Sequence, residues 1–585
     1  MTVKGMFRDF ITDFPWGLTI ILFVSLIIAE LLVPFLQYKL IKKPIYKLQE
    51  DALKSGKKKF TIFSIMQKGY DWLITLCFKW RKTTVVVGVL FVALGVFLII
   101  TTPLELMPIA ERNQFAVEVF MPAGTSVERT TEVLDSLERI LAKDERVVSI
   151  ASFHGCSSPR FQATYAPQIG GPNYGQFIVN TKSNEATIEV LNEYTPEYEG
   201  YFPDAIVRFK QLNYSNARNP VAIRFSGESN EVLQEVADTV MQIARKVPGL
   251  RNIHSSLGNP LMAVGVKPDP TRSQRLGINS VILESTLAAR YSSGIPVATM
   301  WEGDYGVPVV LKTSGAESGT PRGLLEQPIM AMGFGSVPLG QIATLKPELH
   351  YGTLVHYNGV RTVEVIADLQ RNMNAVNRTD ALLDSISKIQ LPEGVTMAVG
   401  GEYDVNISTL PEIILGLVIS IVIIFFIILF HYTQVGTTTI LLCSLLLALP
   451  GAGIGMKIQP VDLSITGVLG LVSLMGILVR NAIVLIDYAE ELRNQGQTAW
   501  QAVYNASKRR MRPIFLTSAA ATMGVLPMII GQNALWKPMG VIIFWGTPIT
   551  MIFILTVIPA AYCLIKDRGK QANEPLPEPL ETHLL

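Results

Sequence analysis

"GILVRNAIVLIDYAEELR" occupies residues 476–493 and places Arg480 and Asn481 inside a long apolar run that starts near Leu463. A charge within a hydrocarbon-length segment is costly and is retained for a reason. Ser464, Gly467, Gly470, Ser473 and Gly476 precede it at spacings of three. Small side chains let a second helix approach closely, so this face is expected to pack on protein. The run 513–530 answers with Thr517, Ser518, Ala521 and Gly524. The alternative is that Arg480, about 9 Å from the end of the apolar run at 1.5 Å per residue, reaches for the interface.

Outward from this stretch the chain divides by hydropathy. It has 585 residues, 49% hydrophobic and only 17% charged, with net charge +2. A soluble chain of this length carries more charge, and the balance gives no case for nucleic acid. Apolar runs of roughly 20 residues predict membrane helices at 17–36, 83–102, 412–430, 437–454, 463–486, 513–530 and 539–565. The four cysteines, Cys77, Cys156, Cys443 and Cys563, imply no disulfide framework. The scattered histidines and absence of CxxC imply no zinc site.

Residues 37–82 hold twelve Lys or Arg against Glu50, Asp51 and Asp71. Positive charge marks the cytoplasmic side. Lys508, Arg509, Arg510 and Arg512 place the loop before Pro513 there too. The polar stretch between the second and third runs is then extracytoplasmic, and the first helix enters from outside. That N-out start predicts helices ahead of Met1. The first run lacks a small-residue cleavage site, so it does not read as a signal peptide.

The extracytoplasmic part reads as strand–helix–strand units, which predict ferredoxin-like sandwiches. Expected strands are 114–121, 147–153, 221–225, 261–266, 361–369 and 395–400, with helices at 126–141, 231–245 and 376–389. Residues 268–346 add a helix at 280–289, a strand at 307–312 and Gly/Pro-rich loops. Between the first two units lies "HGCSSPRFQATYAPQIGGPNYGQ", 154–176, with four glycines and three prolines. Long loops in compact domains are commonly functional or mobile. Phe153, Phe161 and Tyr165 are candidate substrate contacts there, or packed loop aromatics.

Several segments together resemble the second half of a resistance-nodulation-division (RND) efflux permease. They are "PLELMPIAERNQFAVEVFMPAGTSVERT" (103–130), "LGINSVILESTLAARYSSG" (276–294), "NGVRTVEVIADL" (358–369), "LPEGVTMAVGGEY" (391–403) and "RRMRPIFLTSAAATMGVLPMI" (509–529), with the run around Arg480. The resemblance covers residues 1–565. It implies an α-helical membrane protein with seven transmembrane helices plus a large α+β periplasmic region of porter and docking subdomains. The divisions are 1–44, the family's sixth helix; 45–80, a basic cytoplasmic linker; 81–103, a helix; 104–212, a porter subdomain; 213–267 with 347–408, a second; 268–346, docking; 409–565, five helices; and 566–585, a cytoplasmic tail. The family's first half, with helices one to five, is expected to lie elsewhere.

The resemblance also implies a proton relay. The family sets a lysine–asparagine pair against two aspartates of its fourth helix. Carried over, Arg480 is the counter-ion and Asn481 its neighbour, while Arg510 and Thr517 match the relay arginine and threonine. Arginine in place of lysine is a departure. It stays protonated, so it serves only as a fixed cation. Arg510 alone would read as a topology charge, and Thr517 alone as a residue bonding its own helix. Glu30 is the one embedded acid of the spans. It is a candidate proton carrier, or a neutral glutamate packed against the other half.

Three functions compete: proton-driven efflux of amphiphilic small molecules, heavy-metal export, or a non-transporting membrane-anchored module. Metal export predicts clustered methionines, whereas Met121, Met262, Met330 and Met332 are scattered. The family implies an inner-membrane homotrimer that docks a periplasmic adaptor and an outer-membrane channel. No nucleotide loop or nucleophile motif suggests an enzyme, and no cofactor is implied.

Overall fold

The computed structural model describes residues 5–40, 62–258, 260–291, 294–311, 320–331, 335–371, 373–531 and 533–566. The tail from 567, the linker through 61 and Met332 lie outside the described residues.

Among the described residues, seven helices are long and apolar enough to cross a membrane: Pro15–Leu40, Arg81–Ile100, Gly401–Tyr432, Val435–Ile458, Ile465–Asn494, Ala499–Ile530 and Lys537–Lys566. Local chemistry sets their ends. The Ser464 hydroxyl accepts from the Gly467 amide and opens one; Thr498 caps the next in the same way. Thr433, left-handed at φ 53°, closes the Gly401–Tyr432 helix. That helix starts at the last strand, ahead of the expected boundary at 409. The Arg480 helix also outruns its apolar stretch and continues to Asn494. The backbone pays no penalty for leaving the apolar zone, and two polar turns follow.

Close approach of small residues builds the core of the bundle. A Cβ on Gly95 would meet the Pro450 amide nitrogen at 2.3 Å, and one on Gly451 the Gly546 carbonyl at 2.9 Å. In the most apolar window of Val435–Ile458, 67% of residues are buried, and 56% in Lys537–Lys566; none is buried in Pro15–Leu40. Part of the expected linker is itself a helix, Ile62–Lys79. Tyr70, Ile74 and Phe78, four residues apart, bury one face. The Tyr70 hydroxyl donates to the Leu555 carbonyl at 2.9 Å. Lysines in the linker sequence hide this stripe.

Between the second and third spans lie two α+β lobes of one topology. The first has β1 (Gln114–Phe120), helix Val127–Leu141, β2 (Val147–His154), β3 (Tyr174–Thr181), helix Asn184–Tyr198 and β4 (Ile206–Gln211), in sheet order β2-β3-β1-β4. The second repeats it with β5 (Val221–Ser226), helix Asn230–Ala244 and β6 (Leu250–Ser255). After an insertion it resumes at Val360–Leu369, helix Ala375–Ile386 and strand Thr396–Gly400. Val360–Leu369 pairs with both β5 and β6, and Thr396–Gly400 with β5. This β-α-β-β-α-β order is the ferredoxin-like arrangement.

One expected strand moves. Residues 261–266 do not return the second unit; β6 does. Leu261–Pro268 instead pairs with Ala343–His350 as a ribbon that carries the inserted segment. Both stretches alternate, and only the pairing partner separates them. The insertion contains an antiparallel hairpin, Ile295–Glu302 with Tyr305–Leu311, whose large apolar side chains Val297, Met300, Trp301, Tyr305 and Val309 are exposed.

Candidate functional site

Arg480 sits near the middle of its 30-residue helix, exposed on the side of the bundle. No hydrogen bond or ion pair to it occurs among the described residues. The small-residue stripe does not run along one face. Steps of three in a helix of 3.6 residues per turn rotate about 60° each. A Cβ on Gly470 would therefore meet the Met539 backbone at 3.0 Å, whereas one on Gly476 would face open space. Asn481 lies on the closed side. It is buried, and its Nδ2 donates to Ser518 Oγ at 3.2 Å. Contact with the 513–530 helix thus runs through Ile514 and Ser518, both buried. Of the other residues expected on this face, Thr517 and Gly524 are exposed and Ala521 is half-buried.

Thr517 donates to the Ile514 carbonyl of its own helix at 3.1 Å. Arg510 stacks on Tyr488, 4.6 Å from the ring centroid, and its Nε is buried with no hydrogen-bond partner. Arg509 donates to the Tyr488 hydroxyl at 2.8 Å. Glu30 lies in a π-helical turn, Ile28–Leu32, within the first span and is exposed. It makes no ion pair with Arg480 among the described residues. The structure therefore brings Asn481 to Ser518 and Arg510 to Tyr488, and leaves Arg480, Thr517 and Glu30 on open surface.

Asp487 and Glu490 are more than a solvated helix end. Tyr432 donates to Asp487 Oδ1 at 2.5 Å, and His431 lies 3.3 Å from the same oxygen. Glu490 accepts from Tyr562 at 2.6 Å and from Arg493 at 2.8 Å. They tie three spans together at the end of the bundle away from the lobes.

The second charged centre was not singled out in the sequence. Arg208 on β4 is 5% exposed and Glu118 on β1 is fully buried. Arg208 reaches Glu118 at 3.2 Å and, across the lobe boundary, Asp368 of the second lobe at 2.6 Å. Asn252 donates to Asp368 at 3.2 Å. Burial alone would lift the Asp368 carboxyl; the charge and hydrogen bonds of Arg208 outweigh it and hold the group below its ordinary range. Both faces of β1 are covered, so a charge in an alternating strand is not on a solvent face here. The signal lies in "FAVEVF" and "IVRF", each with a lone charge amid apolar neighbours.

Loop 155–173 closes over this centre. Tyr165 is buried and donates to Glu118 Oε1 at 2.5 Å, while Gln176 donates to the Tyr165 hydroxyl at 2.8 Å. Burial, reinforced by the Glu118 charge, pushes the Tyr165 phenol up, so it stays neutral and donates. Gln176 also accepts from Ser157 Oγ and the Ser158 amide. Phe161 stacks 4.7 Å from Tyr165, and Phe153 sits half-buried on β2, paired with Gln176. Tyr165 thus serves the loop's anchorage; only Phe153 and Phe161 are partly open. The methionines stay apart on separate elements: Met121 is buried, Met262 and Met330 exposed.

A family model described as the AcrB/AcrD/AcrF family matches residues 1–566. The cobalt-zinc-cadmium resistance protein of Cupriavidus metallidurans is 23% identical over 503 residues, covering 82% of this chain and 46% of its own. The swarming motility protein SwrC of Bacillus subtilis is 22% identical over 569 residues, covering 95% and 52%. A crystal structure of a heavy metal efflux pump superposes with TM-score 0.72 at 18% identity, covering 87% of this chain and 53% of that one. The chain therefore spans about half the length of the relatives it matches.

Proposed function

Because the chain belongs to the AcrB/AcrD/AcrF family of RND permeases, we propose that it forms part of an inner-membrane efflux transporter whose cargo is a heavy-metal cation. The observation that carries the cargo is the run of metal-resistance relatives. Besides the cobalt-zinc-cadmium protein it includes a nickel and cobalt resistance protein, 22% identical over 491 residues. Efflux of amphiphilic drugs, the first expectation from the sequence, has less support. The scattered methionines argue only against a soft, thioether-bound ion, and leave oxygen- and nitrogen-loving divalent cations.

In this reading the chain is a transporter, not an enzyme, and works with the counterpart of the relatives' other half. Arg480 is a fixed cation that faces this counterpart. Carboxylates there carry the proton. Protonating one removes its attraction to Arg480, and the helices repack. A proton falling through the field supplies about 2.3 kcal/mol per 100 mV. Asn481, through Ser518, transmits that repacking to the next helix; Arg510 and Thr517 flank the path. Glu30 is a second carrier if Glu30→Gln slows export, and normal export in that variant removes it. The two lobes act as porter subdomains, and the exposed hairpin is a surface for a second copy in a trimer or for the adaptor.

The test is deletion of the gene in its own host. Cell cobalt, nickel, zinc and cadmium are measured by mass spectrometry, alongside retention of an amphiphilic dye. Several-fold metal accumulation with unchanged dye supports metal export. Dye accumulation with unchanged metal overturns it in favour of the amphiphile reading.

A further inference from the structure

Helix Val127–Leu141 and the end of β2 bring together three groups that the sequence separates. A carboxylate oxygen each from Asp135 and Glu138 and a ring nitrogen of His154 all lie within 4.8 Å of one another. Asp135 and Glu138 are three apart, so both stand on one face of the helix. His154 ends the strand that the helix packs against. Its imidazole is fixed from both sides: one nitrogen pairs with Thr131 Oγ1 at 3.0 Å, the other with Ser152 Oγ at 2.6 Å.

Neither carboxylate has a hydrogen-bond or ion-pair partner among the described residues. Two like charges converge there beside an imidazole, with no cation against them among the described residues. Glu132, one turn earlier, takes Arg129 at 2.9 Å. The arrangement lacks only a positive centre.

We propose that Asp135, Glu138 and His154 bind a divalent first-row metal of the zinc, cobalt or nickel class. Two carboxylate oxygens and one imidazole suit these borderline ions, with metal–ligand bonds of about 2.0–2.2 Å. Thiolate or thioether ligands, which select copper(I), are lacking. Three protein ligands leave a position open to water or exchange. One ring nitrogen takes the metal in place of its hydroxyl partner, and the other keeps its own, which fixes the ring. The sequence hid the site because its ligands sit 3 and 16 residues apart across a helix-to-strand turn, outside any short motif.

The position also gives the ion a task. His154 is the last residue before loop 155–173, and Gly155 behind it turns at φ +69°. A metal joining His154 to the helix pins the root of that loop. The loop in turn carries Tyr165 onto Glu118 of the inter-lobe network. Metal outside the membrane would thus stiffen the loop over the lobe boundary. Metal binding stands on this geometry alone; a role in sensing the cargo rests on the metal-export reading.

The experiment uses the purified full chain in detergent with Co2+ as probe. Equilibrium dialysis gives stoichiometry and affinity, and hydrogen exchange follows 155–173. Asp135→Asn and Glu138→Gln, combined, alter partly exposed positions and spare the fold, as the unfolding midpoint without metal checks. His154→Ala is the second variant. The expected result is loss of one bound Co2+ per chain, or at least tenfold weaker binding, in both variants. Co2+ should also slow loop exchange in the unaltered chain only. Unchanged stoichiometry and affinity in the double variant overturns the site. Binding lost with loop exchange indifferent to Co2+ overturns the anchoring role. Neither result depends on cellular metal content, so the site and the export reading fail separately.

Discussion

Arg208 and Arg480 are arginines in apolar surroundings, and the chain treats them oppositely. Arg208 finds Glu118, Asp368 and Asn219 within 3.2 Å, on two strands and a loop. Arg480 finds no partner among the described residues and faces outward. A buried charge with its partners inside the same chain is part of the fold. A charge set in a span with none belongs to an interface. Under the proposed function the contrast separates stability from transport: Arg208 joins two lobes, and Arg480, unpartnered among the described residues, is offered to the counterpart of the relatives' other half.

Breaking the pair at Arg480 should have the largest effect. Arg480→Ala is expected to reduce export to background in the assembled transporter, at least a hundredfold, and to leave membrane insertion and the unfolding midpoint of this chain unchanged. Arg480→Lys keeps the cation and should retain much of the export. Normal export by the alanine variant, measured as cell metal content, would reduce Arg480 to a side chain reaching for the interface.

Arg208→Met should do the reverse. It leaves Glu118 buried and uncompensated, a cost of about 3–5 kcal/mol, read as a lower unfolding midpoint. Tyr165→Phe removes one hydrogen bond to the same carboxylate and should cost about 1.5–3 kcal/mol. It should also expose 155–173 to proteolysis. An Arg208→Met protein as stable as the parent would show that the lobes are held by apolar contact alone, and the comparison would lose its first half.

The same contrast explains what the sequence revealed. Spans and the two-lobe pattern were legible because hydropathy and alternation are local properties of the chain. Arg480 announced itself because a charge in hydrocarbon is costly wherever its partner lies. The Arg208 network stayed hidden: a lone charge in an alternating strand reads as solvent-facing until the second lobe covers it. For the same reason 261–266 was expected to return the second unit, since alternation does not name a partner strand. The helix Ile62–Lys79 was masked by the lysines of the linker around its apolar stripe. Departure of the small-residue stripe from one face was calculable from the helical period, and the open Gly476 follows from it.

The smallest effect lies where the two regions join. Residues 103–106 run parallel to 463–465: Leu463 donates to the Pro103 carbonyl at 2.9 Å, Glu105 to Leu463 at 3.2 Å, and Ile465 to Leu106 at 3.0 Å. This short ribbon leads straight into the Arg480 helix and sets Glu105 beside Asp462. Burial, then a hydrogen bond to Asp462 and the charges of Asp462 and Glu402, push the Glu105 carboxyl up to about 8. The folded state therefore holds a proton that the unfolded chain releases near its ordinary value of 4.5. Stability from this group is fully present below that value and is lost as pH rises toward 8. Glu105→Gln keeps the hydrogen bond without the titration. Its unfolding midpoint should fall less between pH 6 and 9 than that of the parent, by a few degrees at most. Parallel midpoint curves for the two proteins would place the proton elsewhere, and the ribbon would then be a passive joint between lobes and bundle.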